Sequence, residues 1–192
     1  AESRVQQRYP QFHAVAIVTL LLWLPSARLE PVINACIAAA GRGIEGVDLL
    51  YQPYVTEADW TPMYRIAERL AAAGLGITAH AGEVSSANIA QALRTPGLTR
   101  LGHATYAGYD PHLLKLVADS GVTVECSLTC NVVMGAAEAY ETHPIRQFVM
   151  AGVPVALGTD DPVQVCTTIG REYAIAAALG FTAADLLGFT GN

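Results

Sequence analysis

Charged residues are scarce in this sequence, at 15% of its 192 positions, whereas an average soluble domain has about 25%. The hydrophobic fraction of 52% indicates that much of the chain is buried, as in folds whose strands are covered on both faces. The 11 Lys and Arg residues are outnumbered by 17 Asp and Glu residues, and they form no cluster with interleaved aromatics. The net charge of −6 therefore argues against a nucleic-acid polymer as a partner.

Cysteines and long apolar runs are scarce as well. Four scattered cysteines do not support a disulfide framework, so we expect a reducing, cytoplasmic location. The longest apolar run, Ala14–Leu24, is about half as long as the roughly 20 residues of a membrane-spanning helix, so we expect no membrane association. This run has the length of a signal-peptide core, with Pro25-Ser26-Ala27 as a cleavage site, but a buried strand explains it better.

Six short apolar runs alternate with longer amphipathic stretches, which predicts a βαβα order. The runs are nearly continuous, as is typical of parallel strands buried on both faces. Six strands joined by single helices fit either an open doubly wound sheet or part of an eight-stranded barrel. The runs are Ala14–Trp23, Ile44–Leu50, Leu75–His80, Leu98–His103, Val122–Cys126 and Val153–Thr159.

Four sequence signals predict helix starts between these strands. Pro31 is suited to a first helical position. Thr56-Glu57-Ala58-Asp59 resembles a capping box, and Thr182-Ala183-Ala184-Asp185 has the same form near the end of the sequence. Asp110-Pro111 predicts another start, because an aspartate cap is followed by a proline.

Polar residues able to bind a metal ion or transfer a proton follow the apolar runs, at the ends that parallel strands bring together. His80 and Glu83 follow one run with a glycine between them, so the backbone can turn and direct both side chains into one space. His103 ends the next run, and Asp160 with Asp161 follows the last. Imidazole is a good zinc ligand, and a carboxylate beside the metal can transfer protons.

Each of these groups also has a structural interpretation. A histidine can cap a strand, a glutamate can lie on the surface, and two aspartates before a proline can cap a helix. Cys126 and Cys130 are half of a zinc site only if a second pair exists, and the sequence has none. His112 and His143 are more typical of surface or loop histidines. The combination of several strand-end groups nevertheless favours an active site.

Three motifs resemble the adenosine deaminase family of metal-dependent amidohydrolases. They are Thr78-Ala79-His80-Ala81-Gly82-Glu83, Arg100-Leu101-Gly102-His103 and Thr159-Asp160-Asp161-Pro162, in this order and at these separations. The similarity covers roughly residues 40–190. It implies a (β/α)8 barrel with one zinc ion at the carboxyl-end face, so that residues 1–192 form a single, partial barrel domain of about six of the eight strands.

The resemblance also implies a role for each motif residue. His80 and Asp160 are the implied zinc ligands, and His103 lies beside the water that the metal activates. Glu83 is implied to give a proton to a purine ring nitrogen, and Asp161 to hydrogen-bond another ring nitrogen. The implied reaction is the hydrolytic deamination of adenosine or a related aminopurine, with release of ammonia.

The sequence departs from the family pattern at two places. Family members carry a His-x-His pair on the first barrel strand, and no two histidines here have this spacing. We therefore expect that the first two βα units are missing and that this chain alone is inactive. Either a complementing amino-terminal segment completes the barrel or the gene product is truncated, and the open apolar edges favour self-association. Tyr51 stands where a family glycine approaches the purine, so it is a candidate substrate-binding residue and the preferred aminopurine stays open.

Two other functions are compatible with the motifs. One is another metal-dependent barrel hydrolase that acts on amides or phosphoesters. The other is a non-catalytic remnant of a deaminase that binds a purine or a protein without turnover. Glu83 and the Asp160-Asp161 pair favour the deaminase, whereas the missing histidine pair favours the remnant.

Overall fold

A computed structural model of the chain describes residues 2–50 and 56–190, and its centre is one sheet of six parallel strands. Each strand falls on one of the six predicted apolar runs. Within residues 2–50 and 56–190, only the third strand extends beyond its run, by one residue, to Ala81. The strands are β1 Ala16–Leu21, β2 Ile44–Leu50, β3 Gly76–Ala81, β4 Leu98–His103, β5 Thr123–Cys126 and β6 Val155–Leu157.

The strands pair in the order in which they occur along the chain, from β1 to β6. A doubly wound sheet would reverse this order at a switch point, and the described residues contain no reversal. Sequential parallel pairing with intervening helices is the arrangement of a (β/α)8 barrel wall. The α/β fold with an incomplete barrel of six strands is therefore confirmed.

The strand register brings the predicted site residues to one edge of the sheet. His80 on β3 pairs with Gly102 on β4, and Gly102 pairs with Glu125 on β5. Asp48 on β2 pairs with Thr78, two residues before His80. The carboxyl ends of β2 to β5 therefore lie side by side, as the strand-end pattern predicted.

The helices follow the strands along the chain and are mostly short. Of the described helices, none combines the length and the apolarity needed to cross a membrane. Short 3₁₀ helices lie at Thr105–Tyr109 and Tyr140–Thr142. The α-helices are α1 Glu2–Arg8, α2 Ser26–Ala39, α3 Thr61–Ala72, α4 Ile89–Ala92, α5 Pro111–Ser120, α6 Leu128–Val133, α7 Ile145–Met150, α8 Ile169–Ala178 and α9 Ala183–Gly188.

Two of the predicted helix starts are confirmed. The carboxylate of Asp110 accepts hydrogen bonds from the backbone N–H groups of His112, at 2.8 Å, and Leu113, at 3.3 Å. Thr182 and Asp185 form the predicted capping box at the start of α9. These local signals succeed because the cap and its partners are neighbours in sequence.

The other two predicted starts are wrong. Helix α2 begins at Ser26 and continues through Pro31, although proline removes one backbone hydrogen bond within a helix. Burial of Leu29 and Ile33 on either side of the proline offsets this loss. Helix α3 begins at Thr61, after the predicted box, and Asp59 accepts a hydrogen bond from the Thr61 N–H at 2.9 Å.

The hydrophobic core holds the strand ends in place. Leu49, Ile77 and Leu101 lie on three neighbouring strands and are buried, and they belong to one cluster with Ile33 of α2 and Leu70 of α3. Truncating such a buried side chain to alanine typically costs about 2–5 kcal/mol. The core therefore fixes the positions from which the site residues project.

Candidate active site

The turn after β3 directs His80 and Glu83 into the same space. Gly82 has a φ of +80°, and a Cβ atom there would lie 2.9 Å from the Cα atom of Ala104. Only glycine adopts this conformation without strain and also permits such a close approach. The sequence needs this glycine because the turn packs directly against the end of β4.

The ring of His80 is held by a buried aspartate. Its Nδ1 lies 2.8 Å from Asp48 Oδ1, and the Asp48 side chain is only 5% exposed. Burial lowers the pKa of His80, but the hydrogen bond and the negative charge of Asp48 outweigh it, so that the pKa is raised. With Nδ1 donating to Asp48, the lone pair on Nε2 is available to a metal ion.

His103 ends β4 with its backbone in the left-handed region, at a φ of +65°. Its ring is nearly buried, and its centroid lies 5.0 Å from that of His80. The Nε2 atom is 3.7 Å from Glu83 Oε2 and 3.9 Å from Asp160 Oδ2. Burial, followed by the positive charge of His80, lowers the pKa of His103 to about 4, so its ring is neutral at pH 7.

Asp160 follows β6 and is also in the left-handed region, at a φ of +53°. Its Oδ2 atom lies 3.0 Å from the Sγ atom of Cys130. Non-glycine residues in this region cost on the order of 1 kcal/mol each and are frequent at active sites. The strained backbones of His103 and Asp160 bring their side chains together from strands that are two positions apart in the sheet.

Glu83 is mostly buried, with a side chain that is 12% exposed. Desolvation by burial, followed by the negative charge of Asp160, raises the pKa of this carboxyl group. A glutamate in such surroundings keeps its proton to a higher pH than usual and can act as an acid.

The site residues include two groups with metal-binding geometry. Ligand atoms of His80, His103 and Asp160 lie within 4.8 Å of one another, as do those of Glu83, Cys130 and Asp160. Imidazole nitrogen and carboxylate oxygen are the donors found in catalytic zinc sites. The Asp48 carboxylate behind His80 adds the outer partner that orients such a histidine. The residues present therefore fit a zinc ion.

A cavity of about 230 Å³ opens beside these residues. At its wall, Arg100 Nε donates to Glu125 Oε1 at 2.6 Å. The charges of Arg100 and Glu125 offset each other in the cavity. The exposed carboxylates of Asp160 and Asp161 are then the main charged groups of the site that are available to a ligand. The lining residues are His80, Arg100, Gly102, His103, Glu125, Ser127, Ala156, Leu157, Gly158 and Asp160.

Helix α6 carries Cys130 and is anchored from behind by a buried carboxylate. Glu172 on α8 is fully buried and accepts hydrogen bonds from the N–H and hydroxyl groups of Thr129 and from the hydroxyl of Thr167. A buried carboxylate is tolerated when hydrogen bonds satisfy it. Glu172 therefore joins α6, α8 and the loop after Asp160.

The structure brings four of the six predicted site residues together: His80, Glu83, His103 and Asp160. Asp161 follows directly, and its charge contributes to the raised pKa of Glu83. Tyr51 lies outside the described residues.

Four residues beside the site were not predicted as site residues from the sequence: Asp48, Cys130, Asn131 and His143. Asp48 lies within the apolar run Ile44–Leu50, and its bond to His80 depends on the strand register. His143 is buried, not a surface histidine, and it contacts Asn131. Cys126 and Cys130 are both buried, but they do not form one site. Cys126 belongs to the hydrophobic core, whereas Cys130 contacts Asp160. The four-residue spacing gave no sign of this separation.

Comparisons with known proteins identify the family to which this chain belongs. A family model described as adenosine deaminase matches residues 12–192. The adenine deaminase of Rhizobium leguminosarum bv. trifolii is 37% identical over 163 residues, which are 82% of this chain and 50% of that protein. The adenosine deaminase of Shewanella denitrificans is 39% identical over 121 residues, which are 62% of this chain and 37% of that protein.

A solved amidohydrolase from Burkholderia ambifaria, with bound zinc, has a TM-score of 0.78 at 23% identity, over 97% of this chain and 52% of that one. At this identity the likeness concerns the fold alone. The chain spans about half the length of the Rhizobium relative. Because the family model covers nearly the whole sequence, the chain belongs to the adenosine deaminase family.

Proposed function

We propose that this chain carries most of the active site of a zinc-dependent deaminase acting on adenosine, adenine or a related aminopurine. The single observation that carries the proposal is the convergence of two imidazoles and two carboxyl groups: the nitrogen and oxygen atoms of His80, His103 and Asp160 lie within 4.8 Å of one another, and Glu83, with its raised pKa, lies beside them. The motifs that carry Glu83 and the Asp160-Asp161 pair favour a deaminase over a hydrolase of amides or phosphoesters.

The proposed zinc ligands in this chain are His80, through Nε2, and Asp160. When bound, zinc lowers the pKa of water from about 15.7 towards 7, so that hydroxide is available at neutral pH. Catalytic zinc usually has three protein ligands, and only about half of the Rhizobium relative is matched. We therefore propose that further ligands come from sequence outside this chain, and that the chain alone is inactive.

The reaction requires one proton donor and one orienting group from the chain itself. Water adds to the amine-bearing carbon of the purine, the carbon–nitrogen bond breaks, and ammonia leaves a carbonyl oxygen behind. Glu83 suits the proton transfer to the ring nitrogen, because its raised pKa keeps the proton on the carboxyl group to a higher pH than usual. Asp161 suits the other side of the ring as a hydrogen-bond partner, which favours specificity more than rate.

The exact aminopurine is a separate part of the proposal. The two relatives differ in their names, adenine deaminase and adenosine deaminase, so the family accepts both a base and a nucleoside. We propose that Tyr51 contributes to this choice, because it replaces a small residue with a bulky one. The four cysteines are free thiols, which supports the cytoplasmic location that we propose for the enzyme.

Zinc content tests the metal site directly. The purified chain would be loaded with zinc, passed through a desalting column and measured by elemental analysis, with and without a separate polypeptide that carries the two barrel strands proposed to lie outside this chain. We expect about one zinc per complemented chain and less for the chain alone.

A matched pair of histidine variants controls this measurement. His80→Ala should lose the zinc, whereas His112→Ala should keep it, because His112 is exposed in the first turn of α5. Retention of zinc by His80→Ala would contradict the proposed ligand set.

A further inference from the structure

A line of hydrogen bonds runs from the protein backbone to the ring of His103. The Ile145 N–H donates to Nδ1 of His143 at 3.1 Å. His143 Nε2 lies 3.0 Å from Asn131 Oδ1, and Asn131 Nδ2 lies 3.1 Å from His103 Nδ1. We call these three side chains, with the Ile145 N–H, the relay.

The direction of the relay is set at its backbone end. A backbone N–H can only donate, so His143 Nδ1 must accept and carries no proton. The neutral ring of His143 then has its proton on Nε2, which donates to Asn131 Oδ1. A flipped Asn131 amide would require His143 to accept on both nitrogens, which a histidine ring does not do at accessible pH.

The orientation of the Asn131 amide determines the tautomer of His103. With Oδ1 of Asn131 accepting from His143, its Nδ2 group is the donor to His103 Nδ1. That nitrogen therefore carries no proton, and the proton of the His103 ring is on Nε2. The exposed fractions are 4% for His103, 0% for Asn131 and 2% for His143, so bulk water does not compete for these groups.

We propose that the relay fixes His103 in the neutral tautomer with its proton on Nε2, and that Asn131 and His143 are positioning residues for this purpose. The Nε2–H lies 3.7 Å from Glu83 Oε2 and 3.9 Å from Asp160 Oδ2. Both distances exceed a direct hydrogen bond. The proton therefore faces the space between the two carboxylates, where a reacting molecule would lie.

This tautomer changes what His103 can do. A protonated Nε2 has no lone pair for a metal ion and cannot take a proton from water. His103 is therefore a hydrogen-bond donor that orients the attacking oxygen, and it is neither the third zinc ligand nor the base. This chemical role rests on the proposed function, whereas the tautomer itself does not.

The tautomer can be read by NMR on the 20.3 kDa chain. Two-bond ¹H–¹⁵N correlation spectra distinguish the protonated from the unprotonated ring nitrogen of each histidine, and single His→Gln variants assign the five rings. We expect His103 and His143 both to carry the proton on Nε2 at neutral pH. A proton on Nδ1 of His103 in the unaltered chain would overturn the proposal.

Asn131→Asp tests whether the relay is the cause. A carboxylate only accepts hydrogen bonds, so His103 should gain a proton on Nδ1, whereas His143 should keep its proton on Nε2. Thr105→Val is the control, because the buried Thr105 hydroxyl has no hydrogen-bond partner among the described residues and the change conserves shape. An unchanged His103 pattern in folded Asn131→Asp would also overturn the proposal.

Kinetics separate the relay from the proposed reaction. In complemented protein that releases ammonia, Asn131→Asp should lower kcat about ten- to a hundredfold with KM nearly unchanged. If NMR shows the expected tautomer but the complemented protein releases no ammonia, the relay proposal stands and the proposed function is contradicted. Equal kcat in the variant and the parent would contradict the donor role of His103.

Discussion

The two histidines at the centre of the site are held in opposite ways, although their ring centroids are only 5.0 Å apart. His80 donates from Nδ1 to the carboxylate of Asp48, and its pKa is raised. His103 accepts on Nδ1 from the neutral amide of Asn131, and its pKa is lowered to about 4.

The difference shows that the residue behind a histidine decides its chemistry. An aspartate partner leaves a lone pair on the opposite nitrogen and makes the ring a better metal ligand. An amide partner that donates places a proton on the opposite nitrogen and keeps the ring neutral. One imidazole is thus prepared to bind a cation and its neighbour to donate a hydrogen bond.

A large loss of stability should come from Gly82→Ala, because this glycine lies in the turn between His80 and Glu83 and packs against the end of β4. The added methyl group would lie 2.9 Å from Ala104 Cα and 2.9 Å from Ile89 Cδ1, at a φ of +80°. We expect the free energy of unfolding to fall by at least about 2 kcal/mol. Denaturant titration followed by circular dichroism measures it, and Gly170→Ala, where a Cβ meets nothing within 4 Å, is the control.

The pH dependence of the free energy of unfolding tests whether the fold holds the histidines of the relay neutral, and His143 is the group to follow. Burial, followed by the charge of His103, lowers its pKa from 6.5 to about 4. The folded state therefore binds fewer protons than the unfolded state between these values, and stability is lost as the pH falls from 6.5 towards 4. The loss from His143 is on the order of 3 kcal/mol.

The matching variant is His143→Gln, which removes the titrating ring and keeps an amide that can donate to Asn131. Its free energy of unfolding should depend less on pH in this window than that of the parent. Equal slopes for the two proteins would show that His143 is not held neutral by the fold.

Asp48→Asn tests the other histidine, His80, through the carboxylate that holds its ring. The amide keeps the shape of the carboxylate and removes its charge, so the ring of His80 loses its orienting anion. Zinc affinity of the complemented protein, measured by competition with a chelating dye, should fall about ten- to a hundredfold. An affinity within twofold of the parent would show that the Asp48–His80 bond serves folding alone.

The smallest effect should come from Cys130→Ser. Serine keeps a donor for the 3.0 Å contact with Asp160 Oδ2, so the free energy of unfolding should change by about 1 kcal/mol or less. Thermal unfolding measures this change. A loss of several kcal/mol would show that the sulfur atom of Cys130 stabilises the protein through packing and not only through its contact with Asp160.

The sequence predicted what local chemistry determines. The six strands follow from their apolar runs, and the caps at Asp110 and Thr182 follow from neighbours in sequence. His80, Glu83, His103 and Asp160 were recognisable because parallel strands bring their carboxyl ends together.

What sequence could not supply depends on contacts between distant segments. The bond between Asp48 and His80 joins residues 32 positions apart, and the bond between Asn131 and His103 joins residues 28 apart. His143 lies in a loop, which agrees with one of the two interpretations from the sequence, but it is buried and not on the surface. Its contact with Asn131 joins residues 12 positions apart, which no local pattern reports. The continuation of α2 through Pro31 was missed for the same reason.

Deamination by the completed site is the most direct test of the account. Complemented protein would be incubated with adenosine and, separately, with adenine, and ammonia release would be measured alongside Glu83→Gln and Glu57→Gln, the latter an exposed glutamate. The account predicts ammonia from at least one substrate, a loss of about a hundredfold or more in Glu83→Gln, and no loss in Glu57→Gln. Ammonia release that is equal in all three proteins, or absent from zinc-loaded complemented protein, would contradict it.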